Sequence, residues 1–538
     1  MSSSLRWLIL ALVLVAFGST LISSFHFDDY ALLSDPAVTS PSGWWQVFRL
    51  EQTRPLTYFT FWVNYQLGGE SPLGYHAVNL LLHLAACWLA SLIFARVLPP
   101  GHAAAWAVVI FALHPLQTEA VAYVFARATL LAALLCLLCW KAWIDGRRGL
   151  AVAWFAAALL AKEEAAAFPV FLVGWEWFLA NRGRRPWREG LRPVALMLAL
   201  IVAAASRLFY AGRVTPGSGF AFGLGEITPA TYLLTQGRSF WEYVRLVFVP
   251  VGLNFDRDFG LSTGLDLAVV LAWLGLAGAA GAAALFLRKQ PHLYWFLGGL
   301  LLLAPTSSFV PLADLVAERR MYLPLVSFSL LLGFGLERAL RDGPALLRRF
   351  GPLGLAVLLA VFSLGRSQVW RSEESLWRDT AEKSPGKVRP KLQLARALAG
   401  RVDSTPERLA LLRQARQIEP DSVDIALELG VFHLQTGSPG EALVEFDRAL
   451  ATDPGNAQIQ ANRGAALYLL DRLQEADAAF RSALEIDPCN FDARHNLVLL
   501  YGSLGDSEAM SRAAEIPDGC RWSASQKSTM LAARQGGH

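Results

Sequence analysis

Long apolar runs fill the chain up to about residue 365 and stop abruptly at Arg366. About 20 consecutive apolar residues wound as a helix match the hydrocarbon thickness of a bilayer. In that solvent every backbone N–H and C=O must be satisfied inside the segment, which selects helices. With 54% hydrophobic residues, 18 Trp and 31 Phe, the composition is that of a multi-span membrane domain. The runs predict about eleven spans within residues 1–366 and an all-α fold. The first of these begins near residue 7 and continues through Phe25 without a convincing cleavage site, so it reads as a span and not as a removed signal peptide.

Basic residues cluster in alternate loops: Arg6; Arg147 and Arg148; Arg182, Arg184, Arg185, Arg188 and Arg192; Arg288 and Lys289; Arg338, Arg341, Arg348 and Arg349. Excess Lys and Arg mark the cytoplasmic side. The expected topology therefore has a cytoplasmic N-terminus and, after an odd number of spans, a C-terminal part outside the cytoplasm. The segment 231–250, interrupted by Arg238, Glu242 and Arg245, reads as an amphipathic or re-entrant helix on the outer side.

After a linker at 367–384 the composition turns to Glu, Arg, Asp, Gln and Ala. Pro420, Pro454 and Pro488 recur every 34 residues, each closing an Ala-containing helix. That period with a closing proline is the tetratricopeptide signature. Leu429, Gly430, Ala442, Phe446 and Ala449 occupy its packing positions, and Gly464, Ala476, Phe480 and Ala483 repeat them one period later. Weaker units near Arg389 and Phe491 read as caps, giving an α-solenoid of about four units over 385–520 and a disordered tail at 521–538. Its concave groove is expected to hold an extended peptide or a protein. A spacer or dimerisation role is the alternative. Cys489 and Cys520 fall at adjoining ends of the last helix pair and can form a disulfide if the domain is exported. Cys87, Cys136 and Cys139 lie in predicted spans and read as packing residues.

The chemistry is expected at the outer face. Asp28 and Asp29 follow the first span and open an outer loop at 26–73 that carries Trp44, Trp45 and Arg54, a composition suited to short helices along the membrane surface. Ionisable groups at a bilayer edge are costly unless used. Further polar residues recur at outward span ends: Tyr65, His76, Asn79 and His83; His114 with Glu119 and Arg127; Lys162 with Glu163; and Glu318, Arg319 and Arg320 with Tyr322. Asn79 and His83, one helical turn apart, can equally bond a neighbouring span. His114 before Pro115 can be a helix terminator, and Lys162 and Glu163 can neutralise each other. A cavity with one carboxylate and several cations suits sugar transfer from a lipid phosphate to a hydroxyl. The carboxylate takes the proton, and Arg127, Lys162, Arg319 or Arg320 stabilises the departing phosphate. Arginine fits phosphate bidentately and is the better candidate.

No Gly-rich phosphate loop and no Cys or His zinc spacing is present, so a nucleotide-driven reaction is not favoured. The net charge of +4 gives no sign of nucleic-acid binding.

Phe27-Asp28-Asp29, Arg54-Pro55-Leu56-Thr57, Asn64-Tyr65, Tyr75-His76, His114-Pro115 with Thr118-Glu119, Arg127-Ala128, Lys162-Glu163 and Ala317-Glu318-Arg319 occur in one order over nearly the whole chain. In this the chain resembles the transmembrane and tetratricopeptide-repeat O-mannosyltransferases and their bacterial relatives, of the C superfamily of membrane glycosyltransferases. The resemblance implies an inverting hexose transfer, mannose in the animal members, from a polyprenyl or dolichyl phosphate to Ser or Thr of a protein. Asp28 is then the catalytic carboxylate, Asp29 the second choice, and Arg319 a donor-phosphate contact. It also implies a bacterial inner-membrane enzyme with a periplasmic repeat domain that presents the acceptor. Gln117 and Thr129 depart from the animal pattern of His and Glu, which leaves the donor sugar open; dependence on a divalent cation is open too. Two competing readings are a transferase acting on a glycan or lipid and a non-catalytic scaffold that recruits proteins through its repeats.

Overall fold

The computed structural model describes residues 2–180, 188–214, 227–308, 310–517, 520, 522 and 524–536, and their regular elements are helices. The chain divides into two compact units, Met1–Lys383 and Ser384–His538. Arg182, Arg184 and Arg185 of the expected basic loops lie outside the described residues.

Among the described residues of the first unit six helices are long and apolar enough to cross a membrane: Ser3–Ile22, Pro72–Val97, Val124–Ile144, Arg192–Ala211, Leu267–Phe286 and Ala345–Val369. A bent pair, Ala103–Leu113 and Pro115–Ala122, makes a seventh. The sequence suggested eleven. The difference arises because several apolar runs fold as shorter helices, such as Arg148–Ala161 and Pro291–Leu303. At 1.5 Å per residue, 14 residues reach only about 21 Å. The segment at 231–250 is helical through Phe248, as part of the helix Pro229–Phe248, which opens with a Thr228–Thr231 capping box.

Two local features place the site. At His114-Pro115 the proline lacks the N–H needed to continue a helix, and the chain turns by 43° into a short 3₁₀ segment and the helix Thr118–Ala122. His114 caps this turn: its Nδ1 accepts the Leu116 N–H at 3.2 Å, and its Nε2 donates to the Val247 carbonyl at 3.0 Å. Gly333 lets the helix Tyr322–Ala339 rest on Ala103–Leu113, since a Cβ there would strike Ala107 N at 2.7 Å. Small residues permit such close helix contacts in membranes.

The outer loop folds into helices Asp29–Ser34, Pro36–Thr39 and Pro55–Gly68 with a 3₁₀ stretch Pro41–Phe48. Asp35 caps the second by accepting the Ala37 N–H at 2.9 Å, and Trp62 Nε1 donates to the Ser40 carbonyl at 2.9 Å. Trp44 and Trp45 remain exposed. Of residues 367–384, expected as a linker, all but Ser384 belong to the first unit. The helix Glu373–Lys383 buries Leu376, Trp377 and Thr380. Trp377 provides the anchor, packing edge-on against Phe27 and Phe255.

The second unit contains the helix pairs Val388–Ala397 and Thr405–Ile418, Val423–Gln435 and Pro439–Thr452, Ala457–Leu469 and Leu473–Ile486, and Phe491–Leu504 and Ser507–Ala513. Phe446 lies against Gly430 and Phe480 against Gly464, where a Cβ would strike the ring in both cases. The 34-residue spacing of glycine and phenylalanine is thus a spacing of close helix contacts. Cys489 and Cys520 are joined by a disulfide. The expectation of a disordered tail at 521–538 is corrected: Ala524–Gly536 is a helix with Met530 buried. Burial of Trp522, whose Nε1 donates to the Cys489 carbonyl at 2.7 Å, holds this segment to the array.

Candidate active site

Phe27 has φ +45°, a left-handed conformation that an aromatic residue rarely adopts. The turn it makes separates the two carboxylates that follow. Asp29 is fully buried, its two oxygens accepting the His26 N–H at 2.9 Å and the Phe125 N–H at 2.7 Å. Burial pushes its carboxyl up to about 8, opposed by those amides and reinforced by the charge of Asp28. Asp28 remains half-buried. Its N–H donates to the Tyr123 hydroxyl at 3.3 Å. Asp29 is therefore committed to backbone donors, while Asp28 is the less buried of the two.

The cations also separate into two kinds. Arg127 is fully buried and its guanidinium is fully engaged: Nε to Asn79 Oδ1 at 2.8 Å, Nη2 to the Tyr75 carbonyl at 2.9 Å, and Nη1 to Thr60 at 3.3 Å. It also lies over the Phe61 ring, 4.4 Å from its centroid. Arg320 donates to Tyr232 Oη at 3.0 Å and to the Asp314 carbonyl at 2.5 Å and is buried. Lys162 is buried between Thr129 Oγ1 at 2.6 Å and Glu164 Oε2 at 2.7 Å; burial lowers its ammonium below the usual range despite Glu164. These three, expected at a donor phosphate, are each held by partners within the protein.

Arg54 and Arg319 are the more open pair. Arg54 caps the helix Pro55–Gly68 and grips Glu163 with Nε at 3.1 Å and Nη2 at 2.6 Å; its side chain is 24% exposed. Burial would raise Glu163, but Arg54 and then Lys162 hold it down to about 2. Arg319 binds Glu119 through its backbone N–H at 3.0 Å and its guanidinium, and reaches Asp314 at 2.8 Å, leaving the side chain 23% exposed. Burial alone would lower it, yet Glu119 and Asp314 hold it well above its ordinary value. Tyr58 feels the charges of Arg54 and Asp28, and Tyr123 those of Asp28 and Arg319.

The remaining polar residues make contacts within the first unit. Neutral His83 donates from Nε2 to the Ala112 carbonyl at 3.1 Å and accepts at Nδ1 from Tyr322 Oη at 2.8 Å, the tautomer that a carbonyl partner requires. His76 bonds the Ser24 carbonyl at 3.3 Å. Asn79 donates to the Tyr123 carbonyl at 3.1 Å. Tyr65 packs on the cluster of Phe25, Phe61 and Tyr75. Glu318 accepts the Asn254 N–H at 2.5 Å and lies 3.6 Å from Arg257; burial holds its carboxyl above the usual range against Arg366. Among the described residues, no group of three or more His, Cys, Asp or Glu side chains is arranged to hold a metal ion.

Tyr58, Tyr123, Asp314 and Arg366 were not singled out from the sequence. Tyr58 had a signal, standing one helical turn after Arg54. Tyr123 is a polar aromatic just past the proline break. Trp370 and Trp377 lie beyond the last apolar run, where composition reads as linker.

Tetratricopeptide-repeat family models match residues 399–466 and 457–489. The chain is 25% identical over 86% of its length to a Drosophila melanogaster protein named protein O-mannosyl-transferase Tmtc3. It is 27% identical over 65% of its length to the Mus musculus protein O-mannosyl-transferase TMTC4. It spans 60% and 56% of the length of these two relatives. Among solved structures, yeast Tom70 aligns at 12% identity with a TM-score of 0.28, covering 76% of this chain and 88% of that one.

Proposed function

We propose that the chain is an integral-membrane glycosyltransferase that moves a hexose from a polyprenyl phosphate to Ser or Thr hydroxyls of exported proteins, with its repeats binding the acceptor. Similarity to protein O-mannosyl-transferases over most of the chain supports the transferase class and a protein acceptor. The observation that carries the mechanism is the half-buried Asp28 carboxylate, with the partly open guanidiniums of Arg54 and Arg319 in its electrostatic surroundings.

The acceptor hydroxyl oxygen attacks the anomeric carbon and gives its proton to the Asp28 carboxylate. The bond from that carbon to the phosphate oxygen breaks, and the polyprenyl phosphate leaves with the bonding pair. Attack opposite the leaving group inverts the anomeric centre. A positioned base contributes roughly 10² to 10⁴ in rate. Donors aimed at the departing phosphate stabilise charge as it develops. In this reading the outer face is extracytoplasmic and the N-terminus cytoplasmic, which brings exported acceptors to the repeats.

The test is sugar transfer in vitro. Purified wild type and Asp28→Asn each receive labelled polyprenyl-phosphate hexoses and a cell-envelope protein extract. Label on protein with the wild type alone is expected. A folded wild type that transfers no label from any of several hexose donors would overturn the proposal.

A further inference from the structure

Tyr123 follows the short helix Thr118–Ala122 and is 1% exposed. Its ring is packed against Phe255 at 5.3 Å and Trp370 at 5.9 Å, with Phe125 at 6.2 Å. Those rings leave the side chain little freedom. Its hydroxyl accepts the Asp28 backbone N–H at 3.3 Å, and burial, then the charges of Asp29 and Asp28, hold the phenol above its ordinary range. With the Asp28 N–H as donor to the oxygen, the phenolic proton is available to the carboxylate. The Tyr123 carbonyl accepts from Asn79 Nδ2 at 3.1 Å, and Asn79 Oδ1 accepts from Arg127 Nε at 2.8 Å. Two residues on, the Phe125 N–H holds Asp29. The stretch Tyr123–Phe125 thus contacts both aspartates, and the buried Arg127 anchors it from behind.

From this geometry we infer that Tyr123 is a positioning residue for the transfer: its hydroxyl aims the Asp28 carboxylate and stabilises it in the ionised form. The inference rests on the reading of Asp28 as the base. A hydrogen bond donated to the charged form of a carboxylate favours that form. Asp29 beside it and Tyr58 also feel the charge of Asp28, Arg54 acts on Tyr58, Arg319 acts on Tyr123, and Glu373 acts on the neighbouring Tyr30. Tyr123 combines a ring fixed by three aromatic neighbours with a hydroxyl on the Asp28 amide.

The test compares full-length wild type and Tyr123→Phe in transfer from labelled polyprenyl-phosphate hexose across pH, alongside thermal unfolding. The expected result is a kcat about tenfold lower at neutral pH, with the acid limb of the profile moved up by about one pH unit and KM and thermal midpoint unchanged. Incorporation of 3-fluorotyrosine at position 123, which keeps the hydroxyl, should restore the wild-type limb. An unmoved acid limb in Tyr123→Phe, or a loss of activity that follows a lowered thermal midpoint and is not rescued by 3-fluorotyrosine, would overturn the assignment while leaving Asp28 as the base. A wild type that transfers no sugar would overturn both.

Discussion

The Asp29 carboxylate accepts the Phe125 backbone N–H at 2.7 Å across 96 residues of sequence, fastening the first outer loop to the start of the helix that carries Arg127. With both of its oxygens taken by backbone donors, Asp29 shapes the turn, and in the proposed mechanism Asp28 is the base.

Asp28→Asn should therefore abolish transfer with little change in stability. Asp29→Asn leaves an amide group where a carboxylate accepted N–H bonds, and should destabilise the first unit by about 2 kcal/mol. Transfer assays paired with thermal unfolding of both variants check this. Equal stability losses in the two would contradict the division of roles.

Arg319→Lys keeps the charge but loses the fork shared between Glu119 and Asp314. If Arg319 contacts the lipid phosphate, KM for the donor should rise about tenfold. Arg320→Lys should instead lower the thermal midpoint and leave KM nearly unchanged, because that guanidinium is spent on Tyr232 and the Asp314 carbonyl. Donor titrations on the two variants separate these outcomes.

Acid should weaken the Arg54–Glu163 clasp in a defined window. Glu163 sits at about 2 when folded, below the roughly 4.3 of a free glutamate. A depressed value means that its stabilising contribution is present above that free value and is lost as pH falls toward 2. Thermal midpoints at pH 6, 4 and 3 should fall, and Glu163→Gln should flatten the decline. A variant with the wild-type slope would assign the acid sensitivity to another group.

Reduction of Cys489–Cys520, which closes a separation of 31 residues, should cost the second unit roughly 3 to 4 kcal/mol by chain-entropy arithmetic. Urea unfolding with and without a thiol reductant, and with Cys489→Ser, measures this. The first unit, whose described cysteines Cys87, Cys136 and Cys139 are buried and unpaired, should not respond.

His83 and Arg127 mark the limit of what could be read beforehand. Both stood out as ionisable residues in apolar surroundings, which is correct and yet does not separate ligand from brace. His83 serves Ala112 and Tyr322, and Arg127 serves Asn79, Tyr75 and Thr60. Trp377 shows the opposite error: a residue placed in a linker by composition is buried in the first unit.

Helicity, the apolar and polar division of the chain and the 34-residue register follow from the local order of residue types, because hydrophobic periodicity and helix-breaking prolines act within a few turns. Which of two adjacent carboxylates stays open, and which arginines remain available, could not be read locally. Asp29 is closed by Phe125, 96 residues away, Arg127 by Asn79, 48 away, and Arg319 is shared with Glu119 across 200. Adjacent residues of identical chemistry are distinguished only by the partners that folding brings to them.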